Sequence, residues 1–321
     1  MRGNPEFMRQ PQAFWALVRT LSEQLGYTNR VARGALKGSG TVKIHRVEQM
    51  ATALTDLRLS PALVLRNGCA TELGETLHRY FAYRADVLNN TVRPNLMNAA
   101  DASALYWEVN ARVNPLRFVP LPMNKQKGAM AAPAFLTGLV NMLVHEVIGD
   151  VACDYDPRQL TTFTRNGIPL RTLARRVDGA FPSTVNPIAV WEIKEYYYTT
   201  TFGSRVADGV YETLLDGLEL DDLEKNEGVR ADHILIVDSH YTWWVCGKSY
   251  LCRIIDMLNM GLVSEVIFGR EVVERIPALA RLIVCLQESL KRTLPFIDGK
   301  LLAGRWPLGC FPQRCPRSKT R

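Results

Sequence analysis

The sequence predicts an α/β fold with a mixed sheet, preceded by a mainly helical N-terminal region. Three observations carry that expectation. Residues 8–60 and 71–112 hold apolar residues at helical spacing. From about residue 159 the texture turns to Thr-rich and branched segments, with an Asn166-Gly167 hairpin signal. After that, strand-like runs alternate with amphipathic helices.

The elements follow in order. "MRGNPEF" before Met8 reads as an added leader at 1–7, so Met8 is the expected native start and the leader is set aside from the fold. "FWALVRTLSEQL" (14–25) is amphipathic and stops at Gly26. "RVARGALKGSG" is basic and broken by glycines, and "IHRVEQMATALTDL" (44–57) restarts a helix on Val47, Met50, Ala51 and Leu54. Helix, basic turn and helix suggest a helix-turn-helix-like unit. In it Arg30, Arg33, Lys37, Lys43 and Arg46 would meet DNA phosphates. The alternative is a helical hairpin with a solvated basic loop.

Residues 113–132 lack periodicity and read as a loop or boundary. "PAFLTGLVNMLVHEVIG" (133–149) is apolar nearly all round and is expected to be buried. The predicted strand "IAVWEIKEYYYTTT" leads to the helix "SRVADGVYETLLDGLELDDLEKNEG". Next come the strand "DHILIVDS" (232–239) and the helices "KSYLCRIIDMLNMG" and "VERIPALARLIVCLQESLKR". The core reads as helix, three antiparallel strands, helix, strand, helix. The division is a helical region at 8–130, a core at 131–303 and a basic tail at 304–321 expected to be poorly ordered.

Composition bounds the function. The chain has 321 residues, 47% of them hydrophobic, which suffices for a sizeable core. No apolar run reaches the length of a membrane span, and no signal-peptide core is present. A net charge of +7 leans towards a polyanion partner. The seven cysteines show no CxxC pair and no zinc spacing, so reduced, mostly buried thiols in a cytoplasmic protein are expected.

The chemistry concentrates between Val177 and Tyr196. The turn-forming residues Pro182, Ser183, Thr184, Asn186 and Pro187 centre on residue 185. Asp178 lies seven residues before that point and Glu192 seven after it. An antiparallel hairpin centred there sets the two carboxylates opposite each other. Strand alternation puts Lys194 on the same face and turns Trp191 and Ile193 to the core. Two carboxylates this close repel, and a divalent metal resolves the repulsion. Mg²⁺ is held by one or two carboxylates plus phosphate oxygens. Asp178, Glu192 and the backbone carbonyl of Ile193 are the candidate ligands. Lys194 would orient or deprotonate a water, or stabilise charge developing on phosphorus. Without a metal, Glu192 and Lys194 form an ordinary surface salt bridge.

"VDG" at 177–179 and "EIK" at 192–194 resemble the D…ExK signature of the PD-(D/E)xK nucleases, which include many type II restriction endonucleases. The likeness covers roughly residues 133–270. Val177 stands where the family's emblem has proline. The resemblance implies a restriction-endonuclease-like αβββαβ core. It also implies a Mg²⁺-dependent (or Mn²⁺-dependent) sequence-specific DNA endonuclease of restriction or phage defence, acting on double-stranded DNA as a homodimer. The family often adds an acid from the preceding helix, which makes Glu146 a further candidate ligand, with pairing to Arg175 or another base as the alternative. Glu72 and Glu75 are lesser candidates, and Arg205, behind a possible Ser204 cap, is a candidate phosphate contact. His240 and Tyr241 follow a strand end, where binding residues gather. The acid-rich stretch "DGLELDDLEKNEG" is expected to face solvent or a partner subunit. The rival readings are a non-catalytic helix-turn-helix DNA binder with a degenerate nuclease fold, and a repair or transposition nuclease.

Overall fold

The computed structural model describes residues 1–29, 31–113, 119–124, 128, 131–198 and 204–293. The N-terminal unit packs α1 (Gln12–Leu25), α2 (Val47–Asp56), the short hairpin β1 (Leu65–Arg66) and β2 (Cys69–Ala70), and α3 (Glu72–Asp86). Phe14, Trp15, Leu21, Met50, Leu54, Leu77 and Phe81 form its core. α1 ends where Gly26 takes a φ of 81°, and Thr71 caps α3 by accepting from the Gly74 amide. A π-helical segment (Val87–Val92), α4 (Arg93–Asn95) and α5 (Ala99–Val113) lead on.

The C-terminal unit has three layers. Its sheet runs β5 (Gly179–Phe181), β6 (Ala189–Glu195), β7 (Asp232–Asp238), β8 (Glu265–Phe268). β5 and β6 are antiparallel, whereas β6–β7 and β7–β8 are parallel. α5, α6 (Phe135–Ile148) and α9 (Val272–Thr293) cover one face, over Phe181, Trp191, Ile234 and Ile236. α7 (Ser204–Glu227) and α8 (Lys248–Asn259) cover the other, over Leu235, Val237, Val266 and Phe268. β7 is buried on both faces, as a central parallel strand must be.

The α/β class with a mixed sheet holds, and several details differ. β3 (Thr162–Arg165) and β4 (Ile168–Thr172) turn on Asn166 and Gly167 as expected, yet they form a ladder of their own. The main sheet therefore has one antiparallel pair and two parallel neighbours in place of three antiparallel strands. β8 was not anticipated, because "EVIF" is only four residues long between two helices. The helix-turn-helix-like unit is absent: residues 26–46 separate α1 from α2, far more than the short turn that motif requires. Residues 1–7 are part of the packing. Phe7 is buried among Tyr80 and Tyr83, and the Met1 backbone pairs with Val266 of β8. α5 packs on α6, on the sheet side of the molecule although it lies before residue 130. The thiols described are free, but Cys69 and Cys285 are exposed and only Cys252 is buried. Arg30 and the tail at 304–321 lie outside the described residues.

Candidate active site

β5 and β6 place the acids. Gly179 pairs with Trp191, Ala180 with Val190 and Phe181 with Ala189, so the register continues to Asp178 opposite Glu192. The mirror about residue 185 is thus the observed geometry. The Asp178 amide donates to the Trp191 carbonyl at 3.0 Å, and the Ile193 amide donates to Asp178 Oδ2 at 2.9 Å. Strand alternation turns Glu192, Lys194 and Tyr196 towards α7 and Trp191 and Ile193 towards the α6 side. Gly179 lets this pair close, because a Cβ there would overlap the Trp191 indole.

α7 completes the cluster. Glu192 is fully buried and Lys194 is 7% exposed. Lys194 Nζ donates to Glu192 Oε2 at 2.9 Å and to Glu212 Oε2 at 2.8 Å. Arg175 donates to Glu192 Oε2 at 3.0 Å and to Asp216 Oδ2 at 2.6 Å, and lies 3.3 Å from Glu212. Glu212 and Asp216 stand four apart on one face of α7. Gly209, one turn earlier, leaves room for Tyr196 and Lys194.

Charge balance defines the chemistry. Burial works against the Lys194 ammonium, but Glu192 foremost, then Tyr196 and Glu212, outweigh it and hold it above the usual lysine range. Burial opposes the Glu212 charge as well, and Lys194 outweighs it, so that carboxyl titrates low. Asp216 goes the other way: burial pushes it up to about 7 despite Arg175. Among the described residues, Asp178, Glu192, Glu212 and Asp216 gather beside Arg175 and Lys194. Two buried oxygens also lack hydrogen bonds: Asp216 Oδ1, and Glu192 Oε1, which lies 2.9 Å from Arg175 Nη1 without hydrogen-bond geometry. No cluster of three or more His, Cys, Asp or Glu side chains among the described residues is set to hold a metal ion. Two carboxylates, a carbonyl and water remain a fitting set for Mg²⁺, which keeps part of its hydration shell.

Other candidates lie elsewhere. Glu146 pairs with Arg112 at 3.3 Å on the outer side of α6. It is at the rim of that helix, so solvent and Arg112 satisfy it, away from the Asp178–Glu192 cluster. Arg175, weighed as its partner, sits with Glu192 instead. Glu72 and Glu75 occupy the first turn of α3, in the N-terminal unit. Arg33, Lys37, Lys43 and Arg46 lie in the 26–46 loop, where Lys43 donates to the Leu25 carbonyl and Lys37 reaches Tyr241. The side chain of Arg205 lies outside the described residues. Asp216, assigned from sequence to a solvent face, is fully buried. Its signal was legible, since Gly209, Thr213, Asp216, Leu220 and Leu223 make one helical stripe. Arg175, three residues before Asp178, carried no comparable signal.

A family described as Domain of unknown function (DUF7687) matches residues 97–283, more than half of the chain. The chain belongs to the DUF7687 family. That match contains the whole acid–base cluster and the four-stranded sheet. A second family, Domain of unknown function (DUF7690), matches residues 1–91, the N-terminal unit. No curated protein and no solved structure matches the chain.

Proposed function

We propose that this protein is a Mg²⁺-dependent DNA endonuclease of the PD-(D/E)xK type, acting as a homodimer in sequence-specific restriction or phage defence. The observation that carries the reading is the register that sets Asp178 opposite Glu192, with Lys194 on the same face. Chain order agrees with part of the αβββαβ pattern: α6, the β5–β6 pair, α7, then β7 parallel to β6, while β3 and β4 stand in a ladder of their own.

Asp178 and Glu192 would hold the metal. Ile193 would add its carbonyl, which shares the Asp178 side of the strand with its amide. The bound ion supplies a more acidic water and a counter-charge for the phosphate oxygens. Lys194 keeps its proton in this setting, so its role is electrostatic: it orients the water and offsets charge growing on phosphorus. Arg175 aims Glu192 through a hydrogen bond. Glu212 fixes the Lys194 ammonium from the helix side.

Supercoiled plasmid incubated with Mg²⁺, Mn²⁺ or EDTA tests this. Nicking or linearisation is expected only with metal, and Asp178→Ala and Lys194→Ala are each expected to lower the rate at least a hundredfold, on the scale of an electrostatic catalytic group. Discrete fragments support restriction. A wild-type protein that cuts DNA with neither metal overturns the function, and undiminished cutting by both variants overturns the site.

A further inference from the structure

A second cluster lies past the ends of β6 and β7, on the π-helical turn His240–Cys246. Trp244 is buried there and carries two cations. Lys248 Nζ lies 4.6 Å from its ring centroid, and the guanidinium carbon of Arg93 lies 5.4 Å away. Lys37 Nζ stands 5.4 Å from the centroid of the half-exposed Tyr241 ring. The three cations come from three distant segments: the 26–46 loop, α4 and α8.

Their placement is built. The Gly38 carbonyl accepts from Trp244 Nε1 and from Lys248 Nζ, both at 3.1 Å. Gly38 has a φ of +88°, and a Cβ there would press on Val245, so glycine lets the loop seat Lys37 against the turn. Arg93, Lys37 and Lys248 form no ion pair with a described residue. Burial and then Arg93 lower the Lys248 ammonium, and burial, Arg93 and Lys248 lower His240. Repulsion between Arg93 and Lys248 is relieved by an anion.

The cluster adjoins the Asp178–Glu192–Lys194 site. Trp243 Nε1 donates to the Lys194 carbonyl at 3.3 Å, its ring lies 5.6 Å from Tyr196, and Thr242 donates to the Tyr196 carbonyl at 3.0 Å. We propose that Lys37 and Arg93, the exposed cations of this cluster, form a platform for the phosphodiester backbone of a nucleic acid strand that runs on from the Asp178–Glu192–Lys194 site, with the buried Lys248 fixing Gly38 and Trp244 beneath them. Tyr241 offers its exposed ring to a sugar or base of that strand. The platform rests on the nuclease reading for the identity of its ligand.

Anisotropy of labelled DNA duplexes, DNA single strands and RNA, titrated with full-length protein in EDTA over a range of salt, tests the platform. The variants are Lys37→Glu/Arg93→Glu, the milder Lys37→Gln/Arg93→Gln, and Arg158→Glu, an exposed control paired with Asp156. Thermal melts verify folding. The Glu pair is expected to weaken binding at least tenfold and to make the log–log salt slope shallower by about 2, near one per lost phosphate contact. The Gln pair is expected to show the same change in slope with a smaller loss, and the control to match wild type. Wild-type affinity in the Gln and Glu pairs overturns the platform, as does an equal loss in Arg158→Glu. Absence of binding to all three nucleic acids, with inorganic phosphate alone bound, also overturns it. Cleavage separates the two ideas. A protein that cuts DNA while both pairs bind normally keeps the nuclease and loses the platform. One that binds through these residues yet cuts nothing keeps the platform and loses the nuclease.

Discussion

Gly179 and Asp178 are neighbours with opposite duties. Asp178 faces the polar cluster, while Gly179 leaves space on the other face for the Trp191 indole. That indole is 4% exposed and packed in the core, so it cannot swing clear of a new Cβ. Gly179→Ala is therefore expected to cost on the order of 1–3 kcal/mol through overpacking, read by chemical denaturation. Unchanged stability would mean the hairpin tolerates a wider separation. Arg175 is the other decisive residue. It counters Glu192 and Asp216, both fully buried. Arg175→Ala leaves those carboxylates to Lys194 alone, and a loss of about 3–5 kcal/mol is expected by the same measurement. Added Mg²⁺ is expected to restore part of it, because the cation replaces the missing charge.

At the scale of elements, β6 serves two helices at once. One face presents Glu192, Lys194 and Tyr196 to α7. The other presents Glu195, whose carboxylate accepts from the Leu136 amide and the Thr137 hydroxyl at the start of α6. α6 has no side-chain cap of its own, so a strand caps it. Next to it, Asp238 of β7 accepts from the Met97 and Ser239 amides and from the Tyr197 hydroxyl. The tyrosine run is thereby divided: Tyr196 continues the site face, and Tyr197 braces β7. Burial pushes Asp238 up to about 7, above its ordinary value of 3.8. Between those values the folded state holds a proton that the unfolded state has lost. Its contribution to stability therefore falls as pH rises from about 4 to 7. Asp238→Asn, which keeps the amide acceptor and does not ionise, is expected to flatten that part of a melting-temperature profile. An unaltered slope would assign the pH dependence to other groups.

At the scale of the whole molecule, a buried ion pair joins the two family segments. Arg84 of α3, fully buried, bonds Asp256 of α8 at 3.0 Å, and the Tyr80 hydroxyl donates to the same carboxylate. Ser22 of α1 accepts from the same guanidinium. Breaking one partner of such a pair costs about 3–5 kcal/mol. Arg84→Met is expected to lower the melting temperature and to make the 1–91 segment the first cut in limited proteolysis. Simultaneous digestion of both segments would show that they do not open separately. The docked N-terminal unit also carries the 26–46 loop to the end of β7, which places Lys37 beside Tyr241. No helix among the described residues is long and apolar enough to cross a membrane.

The sequence by itself determined the α/β class, most helix and strand positions, and the pairing of Asp178 with Glu192. These depend on short-range rules: helical spacing, strand alternation, and a turn whose midpoint sets the register. Only the tertiary structure decided which charges neutralise that pair. Arg175, Glu212 and Asp216 reach Glu192 and Lys194 because α7 crosses the sheet face, and nothing in local spacing encodes where a helix lands. The same holds for Glu146, which helical spacing could not assign to the Asp178–Glu192 site or to Arg112. It holds also for β8, too short to announce itself, and for the path of the 26–46 connection, pinned at Gly38 by Trp244 and Lys248. Local pattern specifies elements and their faces; the partners of a buried charge are set by packing between elements distant in the chain.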